Sequence, residues 1–160
     1  MKTMKKFEFA RTILKDEVLD DNVTVWDGDP YNSSFKTYYK DGKTIKAKGT
    51  FKHDKIQGQW CEYYSNGRLK KECFTLNGIL NGPFRTWHRN GNLKNETCFN
   101  QGEQEGKATR YYSNGQIMFE EMYIDGILDG DAIWYYENGN IEKIKYKRGA
   151  VIDSTGSTKI

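Results

Sequence analysis

The sequence predicts an all-β protein, a single elongated and twisted antiparallel sheet of stacked β-hairpins, and three observations carry that prediction. A turn dipeptide recurs as Asp41-Gly42, Asn66-Gly67, Asn90-Gly91, Asn114-Gly115 and Asn138-Gly139, with successive glycines 25, 24, 24 and 24 residues apart. Two more glycine registers keep the same period: Gly58, Gly82, Gly106 and Gly130 lie nine residues before a turn glycine, and Gly78, Gly102 and Gly126 close the unit. Between the glycines the chain is rich in Tyr, Trp, Phe and Ile, residues that suit a pleated, half-buried surface. A period this strict marks a chain of like supersecondary units, each burying its apolar side against the next.

Residues 1–32 are expected to cap the array. Phe7, Ala10, Ile13, Leu14 and Val18 have the spacing of an amphipathic helix, while Phe7-Glu8-Phe9 equally fits the start of a strand. Val23 to Trp26 reads as a short strand ending at Asp27-Gly28, and Asp29-Pro30 interrupts the chain before the first full unit. Five units follow, at residues 33–57, 58–81, 82–105, 106–129 and 130–153. Ser33 holds the place of the second-register glycine in the first of them, and Asp54 and Gly149 are less regular members of the closing series. Val151 and Ile152 finish the last sheet, and residues 154–160 are expected as a flexible tail.

Inside each unit the Asn-Gly or Asp-Gly pair tolerates the positive φ angles of a two-residue type I′ turn. That register sets Tyr64 opposite Leu69, Tyr63 opposite Lys70, Glu62 opposite Lys71 and Trp60 opposite Cys73. In the next two units it pairs His88 with Leu93, Trp87 with Lys94, Arg85 with Glu96, Tyr112 with Ile117 and Tyr111 with Met118. Tyr39, Tyr64, His88, Tyr112 and Tyr136 then form one ring ladder, and Tyr38, Tyr63, Trp87, Tyr111 and Tyr135 form a second on the opposite face. Neighbouring strands lie about 4.8 Å apart, so stacked units let each ring pack on its counterpart.

Composition narrows the function. Hydrophobic residues make up 36% and aromatics 14%, so the core is thin and carried by rings. The formal net charge of +3 is too small to argue for nucleic acid or an anionic membrane. No run approaches the roughly 18 apolar residues of a membrane span, and Met1 to Arg11 lacks the features of a signal peptide, so a cytoplasmic protein is expected. Cys61, Cys73 and Cys98 fit neither a disulfide framework nor paired metal knuckles, and buried free thiols are expected. His88 replaces a tyrosine in a ring ladder and reads as packing, and Glu72, Glu96 and Glu120 recur with the unit as cross-strand partners do. Catalysis asks for unlike groups that converge, and no phosphate loop, metal-ligand spacing or nucleophile elbow is present. An enzyme, a cofactor and a bound metal are therefore not expected.

The run from Gly58 through Trp60, Tyr63-Tyr64-Ser65-Asn66-Gly67, Leu69-Lys70 and Glu72, followed by Phe74 and Gly78-Ile79-Leu80-Asn81-Gly82, resembles the bacterial variant of the MORN repeat. The resemblance covers residues from Ser33 to about Asp153. It implies an elongated hairpin array used for protein contacts, and proteins of this kind are described as YwqK-type antitoxins. Two departures stand out: the place of Trp60 and Phe84 is taken by Ala108 and Ala132, and the place of Glu72, Glu96 and Glu120 by Ile144. Such changes imply ladder ends, or a site where bulk is supplied from outside. The membrane association of eukaryotic relatives finds no polybasic cluster or lipidation signal here.

The candidate binding site is an aromatic-basic strip of Tyr63, Arg85, Trp87, Arg110, Tyr111 and Tyr135, because aromatics and Arg dominate protein interfaces. The competing reading is that the strip is core. The expected function is a non-catalytic protein-binding module, an antitoxin, immunity or inhibitor-type factor whose partner is a toxin or effector protein. A small-ligand binder that stacks a nucleotide or sugar on its rings, and a membrane-surface scaffold, are the alternatives. Exposed terminal strands make a homo-oligomer a further expectation.

Overall fold

The computed structural model describes the backbone of residues 24–28, 32–53 and 55–159, and the side chains of 32–53 and 55–154. The fold class is the expected one, antiparallel strands joined by tight turns, with no helix among the described residues. The amphipathic segment at residues 7–20 lies outside the described residues, whereas the short strand expected before the first full unit is present as Thr24–Gly28.

The chain forms two compact units, Met1–Ile79 and Leu80–Ile160. The first holds β1 (Thr24–Gly28), β2 (Asn32–Tyr38), β3 (Ile45–Lys52), β4 (Lys55–Ile56), β5 (Gly58–Tyr63) and β6 (Leu69–Leu76). They neighbour one another in the order β1-β2-β3-β5-β6, with β4 folded back on β3. The second unit holds β7 (Ile79–Trp87, whose first residue alone belongs to the first unit), β8 (Leu93–Asn100), β9 (Glu103–Tyr111), β10 (Ile117–Ile124), β11 (Ile127–Leu128), β12 (Gly130–Tyr135), β13 (Asn140–Lys147) and β14 (Ala150–Lys159). Their order is β7-β8-β9-β10-β12-β13-β14, with β11 on β10. Residues 154–159, expected as a tail, instead continue β14, where Lys159 pairs with Asn140 and Thr158 with Ile141. An outer strand that finds an unpaired edge in β13 gains a ladder of backbone hydrogen bonds, which overrides the weak strand preference of its Ser and Gly residues.

The turns are placed as expected but built differently. At Asn66-Gly67 only Gly67 has a positive φ, of 79°. The Gly67 N–H donates to the Tyr64 carbonyl at 2.9 Å, and the Tyr64 N–H donates to the Arg68 carbonyl at 2.8 Å. This is a three-residue loop, a type I turn closed by a left-handed glycine, rather than the two-residue type I′ turn. The asparagine side chain decides between them: Asn66 Oδ1 accepts the Arg68 N–H at 3.1 Å, and Asn90, Asn114 and Asn138 accept from the residue two places on at 2.9–3.0 Å. The type I′ geometry appears at the other end of the units. Asn77 and Gly78 have φ of 53° and 83°, and the same left-handed pair recurs at Gln101-Gly102, Asp125-Gly126 and Arg148-Gly149.

The longer loop moves the register beside it. Tyr63 pairs with Leu69 rather than Lys70, and Lys70 becomes the extra residue of a β-bulge before Glu62 meets Lys71 and Trp60 meets Cys73 as expected. Trp87 likewise pairs with Leu93, Tyr111 with Ile117, and Arg85 still meets Glu96. The last hairpin has no such shift, because Gly139 and Gly149 are one residue closer than Gly67 and Gly78.

Packing turns on one equivalent cross-strand position in each hairpin. Phe35 lies opposite Gly49, Trp60 opposite Cys73 and Phe84 opposite Thr97, in each case a ring opposite a small residue. In the fourth hairpin Ala108 lies opposite Glu121, and in the fifth Ala132 opposite Ile144. The large partner has crossed to the second strand. Ala108 and Ala132 are buried, at 7% and 0% exposure, so the bulk expected from outside the chain stands directly across the hairpin. In the first unit this position is sealed: Phe35, Phe51 and Trp60 are buried, with ring centroids 5.2 Å apart on either side of Phe35. A Cβ added at Gly49 would lie 2.9 Å from the Trp60 ring and 3.1 Å from Phe35, so glycine there is what lets the two rings close over the strand.

Candidate functional site

Three hairpins of the second unit repeat one ring-aliphatic pair at the strand end next to the turn: Trp87 with Leu93, Tyr111 with Ile117 and Tyr135 with Ile141. All three rings are half-buried. Arg85 is two residues from Trp87 on the same strand and so shares its face, where its Nε donates to Glu96 Oε1 at 2.6 Å. The neighbouring charges on this face are paired too, Lys107 with Glu120 at 2.5 Å and Lys143 with Asp131 at 2.7 Å. Tyr135 Oη donates to Glu120 Oε2 at 3.3 Å. Burial first, then the Glu120 carboxylate, raises the Tyr135 phenol above its ordinary value, and the hydrogen bond to Glu120 raises Lys107. Glu72, the equivalent acid of the first unit, accepts from Gln59 Nε2 at 2.5 Å.

The six residues of the sequence-derived strip therefore divide. Arg85, Trp87, Tyr111 and Tyr135 share one face of the second unit. Arg110 does not, because it adjoins Tyr111 on β9 and strand alternation sends the two to opposite faces. Tyr63 belongs to the first unit, where Lys48 Nζ lies 5.7 Å from its ring centroid and the Tyr63 hydroxyl holds the Lys48 ammonium above its usual range. Chain order placed Arg110 beside the rings, but a period of two takes it away from them.

Arg110 opens a second row on the opposite face. Its guanidinium lies over Phe119 at 4.9 Å, and its Nε donates to Asn95 Oδ1 at 2.7 Å. Phe119 pairs with Trp134, ring centroids 6.2 Å apart, and Trp134 pairs with Glu142. The adjacent row on that face is Ala108, Glu121, Ala132 and Ile144. Tyr123 Oη donates to Glu121 Oε2 at 2.9 Å, and burial together with that carboxylate pushes the phenol up to about 12. Sequence reasoning did not name Phe119, Glu121, Tyr123 or Trp134 as a group. The exchange of Trp60 and Phe84 for Ala108 and Ala132 was the visible signal, since it marks where side-chain bulk changes strands.

The other ring ladder is committed to holding hairpins together. Tyr39 Oη donates to the Tyr63 carbonyl at 2.6 Å and Tyr112 Oη to the Tyr135 carbonyl at 3.0 Å. His88 Nε2 makes the same contact with the Tyr111 carbonyl at 3.0 Å, so this nitrogen carries the proton and the histidine replaces a tyrosine in kind. At the opposite turns a further polar column accepts backbone N–H groups: Gln57 from Asn77, Asn81 from Gln101, Glu105 from Asp125 and Asp129 from Arg148. Cys61 and Cys73 are buried as expected, and burial pushes the Cys73 thiol up to about 11, but Cys98 is exposed because its position on β8 faces solvent. Among the described residues no group of three or more His, Cys, Asp and Glu side chains stands close enough to hold a metal, and no helix is long and apolar enough to cross a membrane.

Residues 56–77, 80–101, 104–125 and 128–147 each match the MORN repeat variant, together more than half of the chain. The chain belongs to the MORN repeat variant family. Its four matched repeats coincide with the second to fifth hairpins, so the ring pairs described above are features of successive MORN repeats. No curated protein matches the chain. Among solved structures it is similar to one described as "Crystal structure of GtfA/B complex bound to UDP and GlcNAc", at 13% identity and a TM-score of 0.34, over 85% of this chain and 26% of that one. The chain thus spans about a quarter of that neighbour, and a likeness of this size carries no functional argument.

Proposed function

We propose that this MORN-repeat chain is a non-catalytic, cytoplasmic binding protein that holds another protein against the Trp87–Tyr111–Tyr135 face of its second unit, acting as an antitoxin, immunity or inhibitor-type factor. The observation that carries the reading is the repetition of one half-buried ring-aliphatic pair in three consecutive hairpins, beside charges that neutralise one another. An apolar strip bordered by satisfied polar groups has the anatomy of a protein interface, with aromatic anchors at its centre. The rings offer broad contact area at low entropic cost, and the paired charges spare a partner the desolvation of a lone ion.

Affinity purification from the native host, followed by expression of the recovered protein, tests the reading. The recovered protein alone should arrest growth, co-expression of this chain should restore it, and Trp87→Ala should abolish both capture and rescue with only the modest loss of melting temperature that truncating a half-buried ring brings. A large drop in melting temperature for Trp87→Ala would return the row to the core.

A further inference from the structure

We propose that the opposite face of the second unit is a receptor for a basic side chain, a lysine or arginine presented by a partner protein, seated over Trp134 between Glu121 and Glu142. The inference rests on the reading that the chain binds proteins, but it concerns a different face and a specific chemistry.

The two faces of the unit treat their charges differently. On the Trp87 face the carboxylates of Glu96, Glu120 and Asp131 each have a cation within 2.5–2.7 Å. On the Trp134 face neither Glu121 nor Glu142 forms an ion pair among the described residues. Each is held instead by a phenol: Tyr123 Oη donates to Glu121 Oε2 at 2.9 Å, and Tyr136 Oη donates to Glu142 Oε2 at 2.7 Å. A phenol occupies one carboxylate oxygen without neutralising its charge, and among the described residues no hydrogen bond or ion pair engages Oε1 of either glutamate, the nearby Arg110 guanidinium being seated over Phe119.

Trp134 lies between these two acids. Glu142 is directly opposite it on β13, and on β10 Glu121 lies two residues beyond Phe119, the residue opposite Trp134, and so on the same face, so the acids flank the indole from strands two apart, a span of about 10 Å. A cation over the indole would meet both carboxylates. Tryptophan is the strongest cation-π partner among the side chains, and the same row already demonstrates the interaction one strand away, where the Arg110 guanidinium lies 4.9 Å from Phe119. Ala132, fully buried beside Trp134, raises no side chain that would block the aliphatic stem of an incoming lysine or arginine.

Full-length, isotope-labelled protein titrated with a lysine homopeptide and an arginine homopeptide at low ionic strength provides the test, read at the indole N–H signals and assigned with Trp134→Phe. The Trp134 signal should move saturably while the Trp87 signal does not, a glutamate homopeptide should have no effect, and Glu121→Gln with Glu142→Gln should weaken the response about tenfold or more. If that double variant loses its dispersed spectrum, Glu142→Gln alone serves, with a weaker but measurable loss expected. An unmoved Trp134 signal, or an unchanged response in the glutamine variants, overturns the proposal. So does tetramethylammonium matching the peptides, which would make the site one for small cations. If the homopeptides fail while the Trp87-dependent capture persists, only this inference falls.

Discussion

The first unit and the last two hairpins of the second fill the same cross-strand column in opposite ways, and the contrast explains which part of the chain is scaffold and which is surface. In the first unit the ring sits on the first strand of each hairpin and the small residue on the second, as Phe35 over Gly49 and Trp60 over Cys73, and the rings are sealed. In the fourth and fifth hairpins the small residue is Ala108 or Ala132 and the large one is Glu121 or Ile144. There the buried apolar residues are only those two alanines, while Phe119, Trp134 and Tyr123 stay half-buried. A hairpin needs a set volume in that column, not a given strand to supply it. Moving the bulk across the turn leaves the stack intact and frees the identity of the larger residue for something polar.

The largest effect should separate the two regions. Trp60→Ala is expected to cost about 3–5 kcal/mol, the range for emptying a buried ring site. Trp134→Ala, from a half-buried position, should cost roughly 1–2 kcal/mol. Urea denaturation of both variants measures the difference, and equal losses would mean that the second unit is as sealed as the first.

Volume exchange across the turn is tested next. Ala108→Phe alone should overpack the fourth hairpin by about 1–3 kcal/mol, because Glu121 already fills the space opposite. Adding Glu121→Thr recreates the Phe84–Thr97 pair of the third hairpin and should recover about 1 kcal/mol or more, read as a coupling energy in a double-mutant cycle. Additive losses would show that the two positions fill separate spaces.

The smallest effect is confined to high pH. The Tyr123 phenol is raised from 10.0 to about 12 by burial and by Glu121, so folding favours its protonated form. That stabilisation is complete below pH 10 and is lost as pH rises toward 12. Tyr123→Phe should therefore show a shallower decline in urea midpoint than the parent across that window, and its tyrosinate absorbance should lack the last-titrating ring. Parallel curves would place Tyr123 in ordinary solvent.

Much of the architecture is legible in the glycine registers, because a left-handed turn residue is a local requirement that any fold must meet where the chain reverses. The period, the hairpins, Trp60 opposite Cys73, Arg85 opposite Glu96 and His88 in place of a tyrosine all follow from it. The turn type does not. Asn-Gly suits both a type I′ turn and a type I turn with a glycine bulge, and the hydrogen bond that the Arg68 N–H donates to Asn66 Oδ1 selects the second. One residue of loop then converts Tyr63 opposite Lys70 into Tyr63 opposite Leu69.

The candidate site was half legible for the same reason. Aromatic and arginine positions are visible in the chain, and Trp87, Tyr111 and Tyr135 do share a face, but Arg110 belongs to the other one and finds Phe119 across a strand pair. What the sequence alone determined is where this protein turns and which residues recur, since both depend on backbone conformation within a few residues. Which rings are sealed, which charges are left to a phenol and which strand supplies the bulk were decided only in three dimensions, because burial and pairing are properties of neighbours some twenty residues apart.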